Sequence, residues 1–325
     1  MTVADMYRKI DRLIEKAFAQ SDAITRANYI ALRKAVLAEV KSLWDKAAIA
    51  ATTDPLVGNV RYVSKMEAFK YGRFENMAAN LKAEIKRQAL IDIHQLERLG
   101  VSVYSEQYNG YAWAYQQGYG LPVKGGARIK LVANALYSDF YGKPMDKTIR
   151  ANLGAYAQSV IDAATRGLNQ GFSYAKIAKQ VSDMTNKSYA SALRVARTEA
   201  GRVQSQAYVD GLALLDEVGA KYEKIWQSTI DTATRDDHAE MDGEPADEDG
   251  IFTLPDGSTG TAPRMTGEAS QDINCRCGVI TVINGEKPSE RRIRGEGIVP
   301  YETFKERLER KADIPILEVR KARSA

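Results

Sequence analysis

Trp226-Gln227-Ser228-Thr229-Ile230-Asp231, Thr234-Arg235-Asp236-Asp237-His238, Met241-Asp242-Gly243 and Asn274-Cys275-Arg276-Cys277 mark out the stretch that decides the fold. It holds both cysteines and one of the two histidines of the 325-residue chain. Just before and within it, residues 222–227 alternate between the two sides of an extended chain, a strand pattern. Residues 278–283 are short, apolar and β-branched and predict a second strand. Between them Thr234 is placed to cap a short helix over 235–241, with Gly243 as its stop. His238 and Asp242 lie four residues apart and would share a face of that helix. Cys275 and Cys277 flank one residue, so in an extended segment both sulfurs point to one side. The stretch reads as a small α+β unit.

Outward from it, the chain turns helical. Apolar residues recur every three or four positions over 4–20 and 22–50, with Ser21-Asp22 as an N-cap between two helices. A helical region over 62–99 stops at Gly100. Another, rich in tyrosine, begins at Ser102. Tyrosines at that density can stack on bases, but packing between helices explains them more simply. The Gly- and Pro-containing residues 118–126 form a loop, and residues 128–141 a weak helix. Pro144 opens the next helix, which Gly167 and Gly171 close. Ser173 caps a short helix, and Ser188 begins the last long one, to about 218. A final helix is expected over 300–311, followed by a basic tail. The fold class is therefore mainly α, with a helical N-terminal body and a small C-terminal α+β domain. Four segments follow: 1–125 helical N-terminal region, 126–220 helical lead-in, 221–285 α+β motif domain, 286–325 charged tail.

Composition sets bounds. Apolar residues make up 44% and charged residues 27%, an ordinary globular balance that argues against wholesale disorder. The total charge is +4, but residues 231–272 carry twelve acidic against two basic residues, leaving +14 on the remainder. A basic body can meet nucleic acid or an acidic partner by electrostatics alone, or be a solvated helix surface. No apolar run approaches the roughly 20 residues that span a bilayer, and the N-terminus lacks a signal-peptide pattern. Synthesis and use in a reducing cytoplasm, or assembly there into something larger, is expected. Two cysteines separated by one residue would close a strained ring if oxidised, so a disulfide is not expected.

Two thiols and an imidazole are three of the four ligands of a common structural zinc site, and Asp242 could supply the fourth. The alternative is packing: a histidine ion-paired among acidic residues, and two small cysteines in the core. A catalytic reading would use His238 with Asp242 or Asp231 for proton transfer and a cysteine as nucleophile. No phosphate-binding glycine loop or Gly-x-Ser-x-Gly elbow supports it.

The ordered blocks Trp226-x-Ser228, Asp231-x-x-Thr234-Arg235-x-x-His238, Asp242-Gly243, Phe252, Pro255, Gly257 and Asn274-Cys275-Arg276-Cys277 resemble the phage head morphogenesis family typified by the Mu F-like minor head protein. Arg197-Thr198-Glu199 and Arg202 match that family's preceding helix. The resemblance covers about residues 145–284. It implies a virion component of a tailed phage or prophage, present in few copies and made in the bacterial host cytoplasm. Its place would be the head interior or portal region. Its partners would be the portal protein, scaffold or major capsid protein and, through non-specific contacts, packaged double-stranded DNA. Its role would lie in head assembly, DNA packaging or ejection, with no membrane contact and no catalytic residue. A metal-dependent enzyme acting on DNA or cell wall is the alternative. The family pattern keeps the His, Asp-Gly and Cys-x-Cys positions, which points to structural zinc on His238, Asp242, Cys275 and Cys277. It assigns Arg197, Glu199, Arg202, Asp231 and Arg235 to a polar network that holds the helix against the α+β unit. Some members carry fused toxin or enzyme domains; the residues 286–325 are too few for one.

Overall fold

The structure, a computed structural model, describes residues 2–49, 53–54, 58–59, 62–63, 68–69, 72–127, 129–138, 144–293 and 296–311. The basic tail beyond residue 311 lies outside the described residues. The architecture is mainly α with a small C-terminal α+β region, as the periodicity predicts.

Four long helices dominate: α1 Val3–Ala47, α2 Arg73–Tyr119, α4 Met145–Asn169 and α5 Tyr174–Glu217, with the short α3 Ile129–Tyr137 between the second and third. Three of them run through points where the sequence suggests a break. In α1, Ser21 does not cap a new helix. Ser21 and Thr25 are buried and continue the stripe that runs on to Tyr29, Leu32 and Val36. The Ser21 hydroxyl accepts a bond from Gln95 Nε2 at 3.3 Å. In α2, Gly100 is interior to the helix. A Cβ there would lie 2.3 Å from Leu136 Cδ2, so the bare backbone is where α3 packs. In α5, Ser188 is likewise interior, and the caps expected at 173 and 188 reduce to one, with Lys176 N donating to Ser173 Oγ at 3.3 Å. A polar residue able to cap a helix does so only where the apolar stripe ends, and here it does not.

The chain forms two compact units, each discontinuous in sequence: residues 19–98 with 143–196, and residues 1–18 with 99–142 and 197–325. The four consecutive segments read from the sequence cut across them. The first unit is helical. Leu32, Val36, Leu81, Leu153, Ile177 and Val181 are buried in it, and the Tyr156 and Thr185 hydroxyls share a bond of 2.7 Å. Two very short antiparallel pairs, β1 Ala48–Ile49 with β4 Tyr62–Val63 and β2 Thr53–Asp54 with β3 Gly58–Asn59, belong to it. The second unit has a core in which Tyr104, Tyr108, Tyr115, Leu136, Val203 and Leu215 meet Ile283. The tyrosines of α2 thus serve packing between elements. A smaller core gathers Trp226, Met241, Phe252, Leu254, Cys275 and Cys277.

The strands expected on either side of the motif form one ladder. β5 Tyr222–Gln227 pairs antiparallel with β8 Gly278–Ile283, from Tyr222 opposite Ile283 to Gln227 opposite Gly278. Between them lie α6 Asp236–Glu240, the pair β6 Phe252–Thr253 and β7 Thr259–Gly260, and α7 Ala269–Asp272. Beyond the ladder, β9 Glu290–Ile293 and β10 Gly297–Pro300 make a hairpin where only a charged tail is expected. The expected last helix is α8 Phe304–Lys311.

Candidate metal centre

The β5–β8 register sets Trp226 opposite Val279 and Gln227 opposite Gly278, so residues just beyond the ladder, Ser228 and Cys277, come together. Beneath them Trp226 is fully buried, edge-on to His238 at 5.5 Å and to Phe252 at 5.3 Å between ring centres. Its indole N–H donates to Ser228 Oγ at 3.1 Å, and the Ser228 hydroxyl donates to the His238 carbonyl. This fixes α6 over the ladder and turns His238 inward. Thr234, expected as the cap of α6, instead donates its hydroxyl to the Thr229 carbonyl, and Arg235 stands at the cap position with no side-chain cap bond.

His238 Nδ1 lies 3.6 Å from Cys275 Sγ and 3.4 Å from Cys277 Sγ. With zinc bonds of about 2.3 Å to sulfur and 2.0–2.1 Å to nitrogen, tetrahedral ligands stand about 3.6 Å apart, N to S. The donor set fits a zinc ion. The three residues are 2%, 5% and 2% exposed, and among the described residues they form the one group of His, Cys, Asp or Glu side chains close enough to share an ion. Hydrogen bonding from Cys275 draws the Cys277 thiol well below its ordinary range. The same S–H contact, with burial, pushes Cys275 up.

The imidazole is oriented from behind. His238 Nε2 meets Gln271 Oε1 at 2.9 Å, while Gln271 Nε2 donates to Asp237 Oδ2 at 2.8 Å and to Asp256 Oδ2 at 2.6 Å. Carboxylates only accept, so the amide must turn its nitrogen to them and its oxygen to the ring. Bonds from Ser258 and Gln271 hold the Asp256 carboxyl at about 2, ionised at neutral pH. The ring therefore carries its proton on Nε2 and aims the Nδ1 lone pair at the sulfurs, the arrangement that a hydrogen-bond partner behind the ring imposes on metal-binding histidines.

Asp242, expected as the fourth ligand, is engaged elsewhere. Its carboxylate meets Arg291 Nη1 at 2.7 Å and accepts the Ser228 and Phe304 backbone N–H groups, each at 2.6 Å. Arg291 also donates to the Ser228 and Glu302 carbonyls, at 2.6 and 2.7 Å. The pair, 2% and 0% exposed, joins the end of β5, the hairpin strand β9 and the start of α8. Gly243, at φ +93°, follows because a Cβ would strike Thr303 Cγ2 at 2.6 Å.

The polar residues expected to form one network form two groups. Arg202 is held by Glu199 at 3.1 Å and donates to Ser138 Oγ at 2.6 Å, while Arg197 is exposed. Separately, Asp231 accepts two bonds from Arg276, one at 2.7 Å, and Arg235 donates to the Ile273 carbonyl. The Arg276 guanidinium holds the Asp231 carboxyl at about 2. The link from α5 to the Cys-x-Cys segment comes from residues to which the sequence reading gave no role. Asn274 N donates to Thr198 Oγ1 at 3.1 Å, and Asn274 sits at φ +59°, a conformation asparagine tolerates. Arg264, buried at φ +66°, donates to Ser205 Oγ at 3.2 Å and to the Cys275 carbonyl at 3.4 Å. Gly201 makes room for it, since a Cβ there would lie 2.7 Å from Arg264 Cδ. Gln271 and Arg291 were also missed. A glutamine and a strand arginine carry no sequence signal, whereas Asn274 directly before the cysteines was a readable hint.

Residues 158–280 match the family described as Phage Mu protein F like protein. Over 295 residues the chain is 26% identical to the minor head protein GP7 of Bacillus phage SPP1, covering 88% of this chain and 90% of GP7. It is 40% identical over 161 residues to the NAD(+)–arginine ADP-ribosyltransferase EFV of Enterococcus faecalis, covering 50% of this chain and 33% of that enzyme. A third relative, an uncharacterized protein of Haemophilus influenzae, is 26% identical over 141 residues. The chain thus spans about a third of the length of EFV and nearly all of GP7. No solved structure matches. Among the described residues, no helix is long and apolar enough to cross a membrane. The motif blocks, the family match across them and the similarity to GP7 along 88% of the chain agree in pointing to the phage head morphogenesis family of Mu F-like proteins.

Proposed function

We propose that this chain is a minor head protein of a tailed phage or prophage, carried in the virion in few copies. Its role is structural, in head assembly, DNA packaging or ejection, beside the portal protein. The observation that carries this reading is the similarity to GP7, which runs along 88% of this chain and 90% of the relative. Coverage of both chains supports a shared architecture rather than one borrowed module. The likeness to EFV covers a third of that enzyme, and the activity in its name belongs to the whole of it.

Within this role, His238, Cys275 and Cys277 hold a structural zinc ion that staples α6 to the Cys-x-Cys segment. Their burial shields a bound ion from any substrate, which favours a staple over a catalytic metal. Contact with packaged DNA falls to the helical unit. Residues 19–98 and 143–196 carry 21 Lys and Arg against 12 Asp and Glu. On α5 the exposed Lys176, Lys179, Lys187 and Arg194 recur at spacings that keep them on one face. Such contacts neutralise phosphates without reading bases, so retention falls steeply with salt.

The test is the protein content of purified particles. Mass spectrometry of DNA-filled heads from the phage or induced prophage that encodes the chain should find it at a few copies per particle. Its absence from heads that are otherwise complete would refute the reading. In a mobility-shift assay, duplex DNA should be retarded at low ionic strength and released as salt rises. Lack of retardation at low salt removes the DNA contact and leaves the head role standing.

A further inference from the structure

Among the described residues, strand β8 pairs with β5 alone. The other edge of β5 is covered, since Trp226 N donates to the Glu244 carbonyl and Ala246 N to the Lys224 carbonyl, each at 2.9 Å. The outer edge of β8 is open at Gly278, Val279 and Ile280, while Thr281 and Val282 are buried. Among the described residues, the backbone of 279–282 makes no hydrogen bond to backbone outside the β5–β8 ladder. Four consecutive residues, 278–281, line a cleft of about 140 Å³. Successive side chains of a strand point to opposite faces, so four in a row line one space only when the strand turns its edge to it. Unpaired N–H and C=O groups on such an edge are a template for another strand.

The facing wall is supplied by α1, α2 and α5. Tyr7, Tyr111 and Tyr208 form a run of rings, 4.9 Å and 5.6 Å between centres. Beside them Asp11 is open to solvent and faces the cleft. The arginines around it have partners. Arg8 pairs with Asp5 and Glu290, Arg292 with Glu15, and Arg291 with Asp242. Arg264 is held by Ser205 and the Cys275 carbonyl. The Asp11 carboxylate has no hydrogen-bonding partner among the described residues. A carboxylate beside aromatic faces is a receptor for an ammonium or guanidinium group.

We propose that this cleft receives an extended segment of a partner protein, which pairs its backbone with the open edge of β8 at Gly278–Ile280 and sets a Lys or Arg side chain against Asp11. The mode is strand addition, with main-chain bonds giving affinity and one charged pocket giving selectivity. It stands on the cleft alone and does not depend on the phage-head reading.

The experiment is selection of random displayed peptides on the full-length protein, followed by fluorescence anisotropy with labelled synthetic copies of the enriched sequences. Enriched peptides should place a Lys or Arg at one fixed position among alternating β-branched residues. Replacing that residue by norleucine should weaken binding to the wild-type protein about tenfold or more, the value of a charge-assisted bond at a partly desolvated site. Asp11→Asn, with an unchanged melting temperature, should show the same loss. N-methylation of alternate peptide nitrogens should weaken binding on one phase of the alternation and not the other. Three results would each overturn the proposal: no enriched peptide, enriched peptides without a basic position, or binding indifferent to norleucine and to Asp11→Asn.

Discussion

The helical unit of residues 19–98 and 143–196 and the region from Tyr222 to Lys311 reach a folded state by opposite means. In the helical unit, burial falls on Leu32, Leu81, Leu153, Ile177 and similar side chains, and most polar residues stay outside. In the C-terminal region, elements of two to eight residues cannot bury enough apolar surface to hold one another. Buried Lys224, His238, Asp242, Arg264, Asp272 and Arg291 do that work through directed bonds. Asp272 is typical: fully buried, it accepts the Thr266 hydroxyl at 2.9 Å and the Gly267 N–H at 2.9 Å. Apolar packing tolerates exchange of one shape for a similar one, whereas a directed bond tolerates few substitutes.

The largest expected effect is on the metal. Purified protein should contain about one zinc per chain, and a chelator should lower the melting temperature by more than about 10 °C, since binding free energy in such sites is folding free energy. Cys277→Ser should reproduce the loss and abolish the response to chelator. Hydrogen exchange after chelation should rise in 222–293 and stay unchanged in 145–196. Equal loosening of both would break the comparison, and absence of metal would remove the staple.

Next in size is the buried ion pair. Arg291→Ala should cost about 3–5 kcal/mol, because it strands the Asp242 carboxylate. Leu153→Ala should cost about 2–5 kcal/mol. The conservative replacements sharpen the contrast. Leu153→Met should cost less than about 1.5 kcal/mol. Arg291→Lys should remain close to the alanine value, since an ammonium cannot reach Asp242 and the Ser228 and Glu302 carbonyls together. Chemical denaturation of the four variants settles the ranking. A mild Arg291→Lys would show that charge, not the forked geometry, holds the region.

Asp92 is the exception inside the helical unit. Tyr29 OH donates to it at 2.9 Å and Gln88 Nε2 at 2.7 Å, both neutral groups. Burial pushes its carboxyl from 3.8 to about 6. The folded chain thus keeps a proton that the unfolded chain has already released, so this group's contribution to stability falls as pH rises from about 4 to about 6 and stays lower above it. Discounted for partial exposure, the loss is about 2 kcal/mol. Asp92→Asn should flatten that segment of the stability profile, measured by urea denaturation across the range. A profile in the variant that still falls between those values would assign the pH dependence to other groups.

The same contrast explains what the sequence disclosed. Helices follow from apolar spacing, and that spacing was readable; the errors came at Ser21, Gly100 and Ser188, where a residue that often ends a helix is used for packing instead. The ladder of 222–227 with 278–283 was readable because both strands are partly apolar. His238, Cys275 and Cys277 were readable because their chemistry is rare in this chain. Asp242 was named for the metal because carboxylates are common ligands, and only the fold reveals the arginine 49 residues away that claims it. Gln271 orients His238 from 33 residues away for the same reason. A buried bond between distant polar residues leaves no period in the sequence.

The smallest effect is the sharpest test, because it uses adjacent residues of one strand. Glu290-Arg291-Arg292-Ile293 has no hydrophobic alternation, yet burial along β9 alternates out, in, out, in. Arg291 turns inward to Asp242, and Arg292 turns outward to Glu15, that pair being 46% and 60% exposed. Solvent screening and side-chain entropy leave such a pair worth about 0–1 kcal/mol. Arg292→Ala should therefore change stability by less than about 1 kcal/mol and lose even that at high salt. The same substitution one residue earlier should be several times more costly at every salt concentration. Equal costs would mean that the hairpin, rather than the buried bond, is the unit that matters, and that the strand's alternation has no energetic consequence.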